Sequence, residues 1–275
     1  VSTDPRTATR SLVIPSLFPA NPVWGDQYHV HYADNTNYTV TFVTEKDAVT
    51  PYLPPGIEVP GAPVIAITYS TCRGVKEMAG DGYNLVSVGI LARFEGEQDH
   101  EEGDFTFVIW ESKFAPVVIG RDVLGYPKLV AEIPDPQQEG GRLRWRVSEN
   151  GVCFLEGEVW DLEPLPADAV TALTAASHSD FGSGSLHMTY KRLPAPGVGE
   201  GPVIADVVGV VHREDFKEAW TCKGSVAWHE VDPRACYFNY GIIEALRGLP
   251  VVAWGDCLVT RGPHVIEFGP SRKLV

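Results

Sequence analysis

The chain has 275 residues, 44% hydrophobic and 21% charged, with a formal net charge of −14. That apolar content supports a folded core rather than disorder. The acidic balance, with no basic stripe, argues against nucleic acid or an anionic membrane as partner, because both are bound through clustered Lys and Arg. Five cysteines, at 72, 153, 222, 236 and 257, form no C-x-x-C pair, which disfavours a disulfide framework and a zinc site. Residues 1–11 read as a polar tail without a signal-peptide core, and no run of 18 apolar residues offers a membrane span. The expected location is the cytoplasm.

Taken in chain order, short β-type runs between turn clusters dominate. They fall at NYTVTFV (37–43), APVIAITYS (62–70), YNLVSVGILARF (83–94), DFTFVIW (104–110) and RLRWRVS (142–148), then at VCFLEGEVW (152–160), PVIADVVGVVH (202–212), GSVAWHEV (224–231) and GDCLVTR (255–261). KDAVTPYLPPG (46–56) reads as a helical turn stopped by its prolines, and PADAVTALTAASH (166–178) as one helix. The acidic EGEQDHEEGD (95–104) reads as an exposed hairpin tip, and PAPGVGEGP (194–202) as a loop between two β-rich halves. The pattern predicts a mainly β chain, an antiparallel sheet closing on itself, as a single domain over 1–275.

Several chemical signatures are absent or weak. His29 and His31 share a strand face but have no third ligand nearby in sequence, so no metal site is expected. FGSGSLH (181–187) does not match the G-x-S-x-G elbow, and neither dinucleotide nor P-loop glycine patterns occur.

Lys128 in GRDVLGYPKLVAE (120–132) is different, because an apolar run (117–119) and Leu129, Val130 and Ala131 surround it. A free lysine amine has a pKa near 10.4, so at neutral pH only about one molecule in a few thousand holds the nucleophilic lone pair. Desolvation favours the neutral amine, which can attack a carbonyl and form a Schiff base. The alternative is a snorkelling lysine with its stem on the core and its head in water. Gly125 and Pro127 punctuate the backbone so that Lys128 starts a segment in a defined direction.

Arg121 could grip a substrate carboxylate with its guanidinium fork, or pair with Asp122 or Glu132 to order the loop. Glu132, four residues beyond Lys128 on an extended segment, would share its face as a proton carrier. Aromatic side chains, among them Tyr126 and Trp110, are candidates to line a substrate pocket. Asp256 is a further polar candidate on the last strong strand.

The string IGRDVLGYPKLVAEI resembles the signature of the acetoacetate decarboxylase-like family, in which the lysine of G-[YF]-P-K forms the Schiff base. EKDAVTPYLPPGIEV, FKEAWTCKGSVAWHEVDP and LRGLPVVAWGDCLVTRGPHVIEF are similar to other parts of that family, so the likeness runs from about residue 20 to about 270. The resemblance implies a closed or cone-shaped β-barrel, a homo-oligomer and a lysine-based lyase that needs no metal or organic cofactor. It also implies a role for Tyr83 in holding a carbonyl oxygen or shuttling a proton.

The chain departs from the family pattern at several points. Leu129 stands where a second lysine follows the first, and a Y-x-E pattern reads Tyr83-Asn84-Leu85. A carboxylate-binding arginine aligns near Asn35, and a second pocket glutamate near Thr68. Aldol or retro-aldol chemistry with dehydration, on a small oxo acid or related carbonyl compound, is therefore favoured over decarboxylation. The alternatives are an acetoacetate-type decarboxylase, a non-covalent isomerase or cyclase, and an inactive small-molecule binder.

Overall fold

A computed structural model describes residues 29–176, 186–197 and 199–275 of the chain. The polar tail at 1–11 and the Ser/Gly part of FGSGSLH, at 181–185, lie outside the described residues. In order, the elements are β1 (His29–Val43), α1 (Lys46–Val49), β2 (Ile57–Glu58), β3 (Val64–Val75), β4 (Tyr83–Glu95) and β5 (His100–Glu111). Then come α2 (Phe114–Asp122), β6 (Lys128–Val130), β7 (Gln137–Glu139), β8 (Arg142–Glu149), β9 (Val152–Pro164) and α3 (Ala167–Ala176). The last are β10 (Leu186–Pro194), β11 (Pro202–Glu214), β12 (Glu218–Trp228), α4 (Tyr240–Arg247) and β13 (Ala253–Lys273).

The thirteen strands form one sheet. Its path β1-β3-β4-β5-β10-β11-β13 closes into a ring because β13 also pairs with β1. The 21-residue β13 is long enough to serve three neighbours, meeting β1 along most of its length, β11 toward its C-terminal end and β12 between Cys257 and Arg261. From β12 the sheet continues outward through β9, β8 and β7. The expected antiparallel closure needs one correction: β5 runs parallel to both β10 and β6. Among the described residues no helix is long and apolar enough to cross a membrane.

Strand alternation divides each wall of the ring between two environments. On β3, Ile65, Ile67 and Tyr69 join the main hydrophobic core, whereas Thr68, Ser70 and Cys72 face a cavity inside the ring. On β4, Val86 and Ile90 go to that core while Leu85 and Ser87 face the cavity, and a register shift at Val88/Gly89 lets both of those residues line it. The main core thus packs against one side of these strands, where β8, β9 and α4 contribute Trp145, Val147, Phe154, Leu155, Ile243 and Leu246. Burying these large side chains, at roughly 1.5–3 kcal/mol each, holds the wall while leaving its other face to line the cavity.

The tip at Gly96–Asp99 is the expected hairpin turn, although most of the acidic run itself belongs to β5. The loop after Pro194 joins β10 and β11, which pair directly, so it is a hairpin connection and not a divider between halves. The helix α2 had no sequence-based expectation, because its Val117-Val118-Ile119 run has the β-branched composition of a strand. Pro116 is tolerated there because it sits in the first turn.

Candidate active site

The cavity inside the ring has a volume of about 450 Å³, in the range of small-molecule sites. Lys128 stands on its wall and is only 6% exposed. The local chain builds that position step by step. The Val123, Leu124 and Gly125 amides close the end of α2 by donating to the carbonyls of Ile119, Gly120 and Arg121. Gly125 has φ +75°, and a Cβ there would lie 2.5 Å from Lys191 Cβ, so the turn needs glycine for both conformation and space. Lys191 Nζ donates to the carbonyls of Asp122 and Val123, and Thr189 Oγ1 donates to that of Leu124, so β10 pins the turn. Lys128 then enters β6 in parallel register with Ile109 of β5.

The lysine stem lies on Gly120, where an added Cβ would come within 2.6–2.7 Å of Cδ, Cε and Nζ. The apolar walls expected from residues 117–119 and 129–131 are only partly found. Leu129 and Ala131 pack with the main core instead, and Val130 is exposed. Lys128 Nζ donates a 2.7 Å hydrogen bond to Oε1 of Glu111, which is 0% exposed, and lies 5.3 Å from the ring centroid of Tyr126. Glu111 Oε2 is buried with no hydrogen-bond partner among the described residues. Burial pushes the Glu111 carboxyl up, and the Lys128 ammonium offsets that push only in part. A basic carboxylate therefore sits against the amine and can take its proton.

Three histidines from separate strands, His187, His212 and His264, line the same cavity. Tyr126 Oη and His212 Nε2 are 2.6 Å apart, His212 Nδ1 and His264 Nε2 are 3.0 Å apart, and His187 stacks on His212 with centroids at 3.9 Å. Burial comes first in lowering all three, His264 to about 3, and their mutual proximity adds to the fall for His212 and His264. They are neutral imidazoles at neutral pH and can pass a proton along the Tyr126–His212–His264 chain. Tyr32 and Tyr83 share a 2.8 Å hydroxyl–hydroxyl hydrogen bond beside this cluster, Tyr32 stacking on His264 with centroids at 5.2 Å. Burial raises both phenols well above their ordinary range, so they remain neutral.

Lys128, Tyr83 and Tyr126 come together at the cavity; the other sequence-based candidates do not join them. Arg121 is exposed and donates from Nη1 to the Lys128 carbonyl at 2.8 Å, ordering the loop through the main chain rather than through Asp122 or Glu132. Glu132 is exposed and accepts from the Gly151 amide, because β6 ends at Val130 and its period-2 reading stops there. Trp110 is fully buried in the main core and donates to Asn239 Oδ1, being one residue out of phase with Ile109 and Glu111. Asp256 is exposed; it shares parity with the cavity residues Leu258 and Thr260 but lies beyond them, near the register break at Val40/Phe42. Asn35, Thr68 and Leu85, where the family likeness led us to expect charged groups, all line the cavity. Glu111, His212 and His264 carry no local motif, and His187 enters the sequence reading only as the last residue of FGSGSLH; a carboxylate ending an apolar strand run is the one available signal for Glu111.

Residues 18–260 match the family described as acetoacetate decarboxylase (ADC). Solved structures with the same fold include an acetoacetate decarboxylase from Legionella pneumophila subsp. pneumophila str. Philadelphia 1, with TM-score 0.71, 17% identity, and 90% of this chain and 88% of that one covered. The enduracididine biosynthesis enzyme MppR, solved with the condensation product of pyruvate and imidazole 4-carboxaldehyde, has TM-score 0.64 and 17% identity over 90% of this chain and 89% of its own. An acetoacetate decarboxylase-like enzyme from Sphingomonas wittichii RW1 has TM-score 0.64 and 16% identity over 90% and 94%. No match is found among curated protein sequences. The extent of the family match settles where the chain belongs: it is a member of the acetoacetate decarboxylase family.

Proposed function

We propose that this protein is a Schiff-base-forming lyase that makes or breaks a carbon–carbon bond, with dehydration, in a small oxo acid or related carbonyl compound. The observation that carries this reading is the buried Lys128–Glu111 pair, with Lys128 on the wall of the cavity inside the ring. Glu111 takes a proton from the Lys128 ammonium, and the freed amine adds to the substrate carbonyl carbon to give a carbinolamine. The protonated Glu111 returns its proton to the departing hydroxyl, water leaves, and the iminium remains. Loss of a proton from the neighbouring carbon gives an enamine, which attacks an aldehyde.

The aldol direction is supported over decarboxylation by the supply of neutral proton carriers. An aldol step needs a proton taken from carbon and another given to the new alkoxide, and the Tyr126–His212–His264 chain can provide that exchange. Tyr83 and Tyr32 would hold a carbonyl or hydroxyl oxygen.

The test is hydride trapping. Incubation with a carbonyl compound and cyanoborohydride should add the mass of the reduced substrate at Lys128 and leave the Lys128→Arg variant unlabelled there. Labelling confined to exposed lysines would reject the reading.

A further inference from the structure

The charge carried by the cavity lining bears on which carbonyl compounds it accepts. Among the described residues Lys128 is the only lysine or arginine on that lining, and its charge is met at 2.7 Å by Glu111. Asp104 and Glu214 add two carboxyl groups to the same lining. The three histidines described on this lining, His187, His212 and His264, do not add a full set of cations. His187 and His212 stack at 3.9 Å, too close for both to be charged without strong repulsion, and His212 is already engaged with Tyr126 and His264.

The remainder of the lining mixes uncharged hydrogen-bonding groups with apolar ones such as Leu85, Ile109, Leu258 and Ile266. Asn35, Asn37, Thr39, Thr68, Ser70 and Ser87 stand on β1, β3 and β4, and Thr106 and Thr260 add hydroxyls from β5 and β13. Asn37 and Ser70 are already joined at 2.7 Å, so this wall is an ordered network rather than loose polar surface.

Resting on the Schiff-base reading above, we infer that the cavity accepts an uncharged, hydroxyl-bearing aldehyde or ketone and discriminates against oxo acids. A substrate carboxylate would meet Asp104 and Glu214 on the lining, where the one described cation is already paired with Glu111, without an arginine fork among the described residues to receive it. Substrate hydroxyls would instead donate to Asp104 and exchange hydrogen bonds with the serine and threonine wall. Glu214 itself registers this environment: burial first, and Asp104 second, push its carboxyl up to about 7. Negative charge is disfavoured at that end of the cavity.

Pyruvate and hydroxyacetone form a matched pair, both methyl ketones of three carbons, one with a carboxylate where the other has CH2OH. Each is incubated with the intact protein and cyanoborohydride, and adduct at Lys128 is quantified by peptide mass spectrometry relative to adduct on Nα-acetyl-lysine under the same conditions. The expected result is a preference for hydroxyacetone of at least about tenfold, the scale of one like-charge contact in a partly solvated site. The paired variant Asp104→Asn/Glu214→Gln should narrow it toward equality. Equal or greater capture of pyruvate by the unaltered protein would overturn the inference while leaving the Schiff-base reading intact. Labelling of Lys128 by neither ketone would overturn that reading and this inference with it.

Discussion

Lys128 and Glu111 lie 17 positions apart, yet the parallel pairing of β5 with β6 brings Nζ to 2.7 Å from Oε1 with both residues buried. In the proposed reaction the pair would supply a nucleophile and its base in one contact. It also gives a stability signature. Removing only the cation, as in Lys128→Met, leaves a buried carboxylate uncompensated and should cost about 3–5 kcal/mol, whereas Lys128→Met/Glu111→Leu should recover most of it. Urea denaturation of both variants measures the difference, and equal losses would mean that the two groups do not act as a pair.

Glu111→Gln keeps the shape and a hydrogen-bonding oxygen but removes the base. Trapping of a carbonyl compound at Lys128 should slow by about 10²-fold or more, the usual loss with a positioned acid–base group. Because burial raises the Glu111 carboxyl, the pH dependence of trapping should also change in this variant. An unchanged rate and profile would assign the proton transfer to another group.

Gly120 gives a sharper test of local geometry. With Lys128 Cδ, Cε and Nζ all within 2.7 Å of where a Cβ would stand, Gly120→Ala must displace the lysine. Overpacking of this kind costs about 1–3 kcal/mol. The variant should therefore remain folded by circular dichroism while losing Lys128 capture. Normal capture would place the reactive amine elsewhere.

Arg121 separates two roles. It donates to the Lys128 carbonyl and is exposed, so Arg121→Ala should lower the rate of imine formation several-fold, with comparable effects on charged and uncharged ketones. A loss confined to oxo acids would instead identify it as a carboxylate clamp.

Glu214 predicts a dependence of stability on pH. Its carboxyl is raised from 4.5 to about 7, so between these values the native state retains a proton that the unfolded chain has released. Its favourable contribution is fully present below about pH 4.5 and is lost as the pH rises through about 7. Glu214→Gln, neutral throughout, should gain on the unaltered protein across this window by on the order of 2 kcal/mol, less where the cavity admits water. Thermal melts at pH 5 and pH 8 should show the gap widening upward; a constant gap would contradict the assignment.

The legibility of these features in the sequence follows physical lines. Strands such as 83–94 and 104–110 were readable because alternation and β-branched residues act locally, and Lys128 was readable because its G-Y-P-K step is contiguous. Trp110 could not be placed from its size alone: the period of two that sends Ile109 to the cavity and Glu111 to Lys128 sends Trp110 to the core. Thr68, Ser70 and Ser87 look like an outward polar face until the β1–β13 pairing closes the ring and turns that face inward. The cluster of His187, His212 and His264 depends on bringing β10, β11 and β13 together, a long-range relation that no local spacing encodes.

The central claim, that the Lys128 amine bonds covalently to a carbonyl carbon inside this cavity, is tested most directly by a crystal soaked with hydroxyacetone and reduced in place. The account predicts continuous electron density from Nζ to the ligand carbon, with Glu111 beside the new bond. A ketone resting in the cavity while Nζ remains unbonded at Glu111 Oε1 would contradict it.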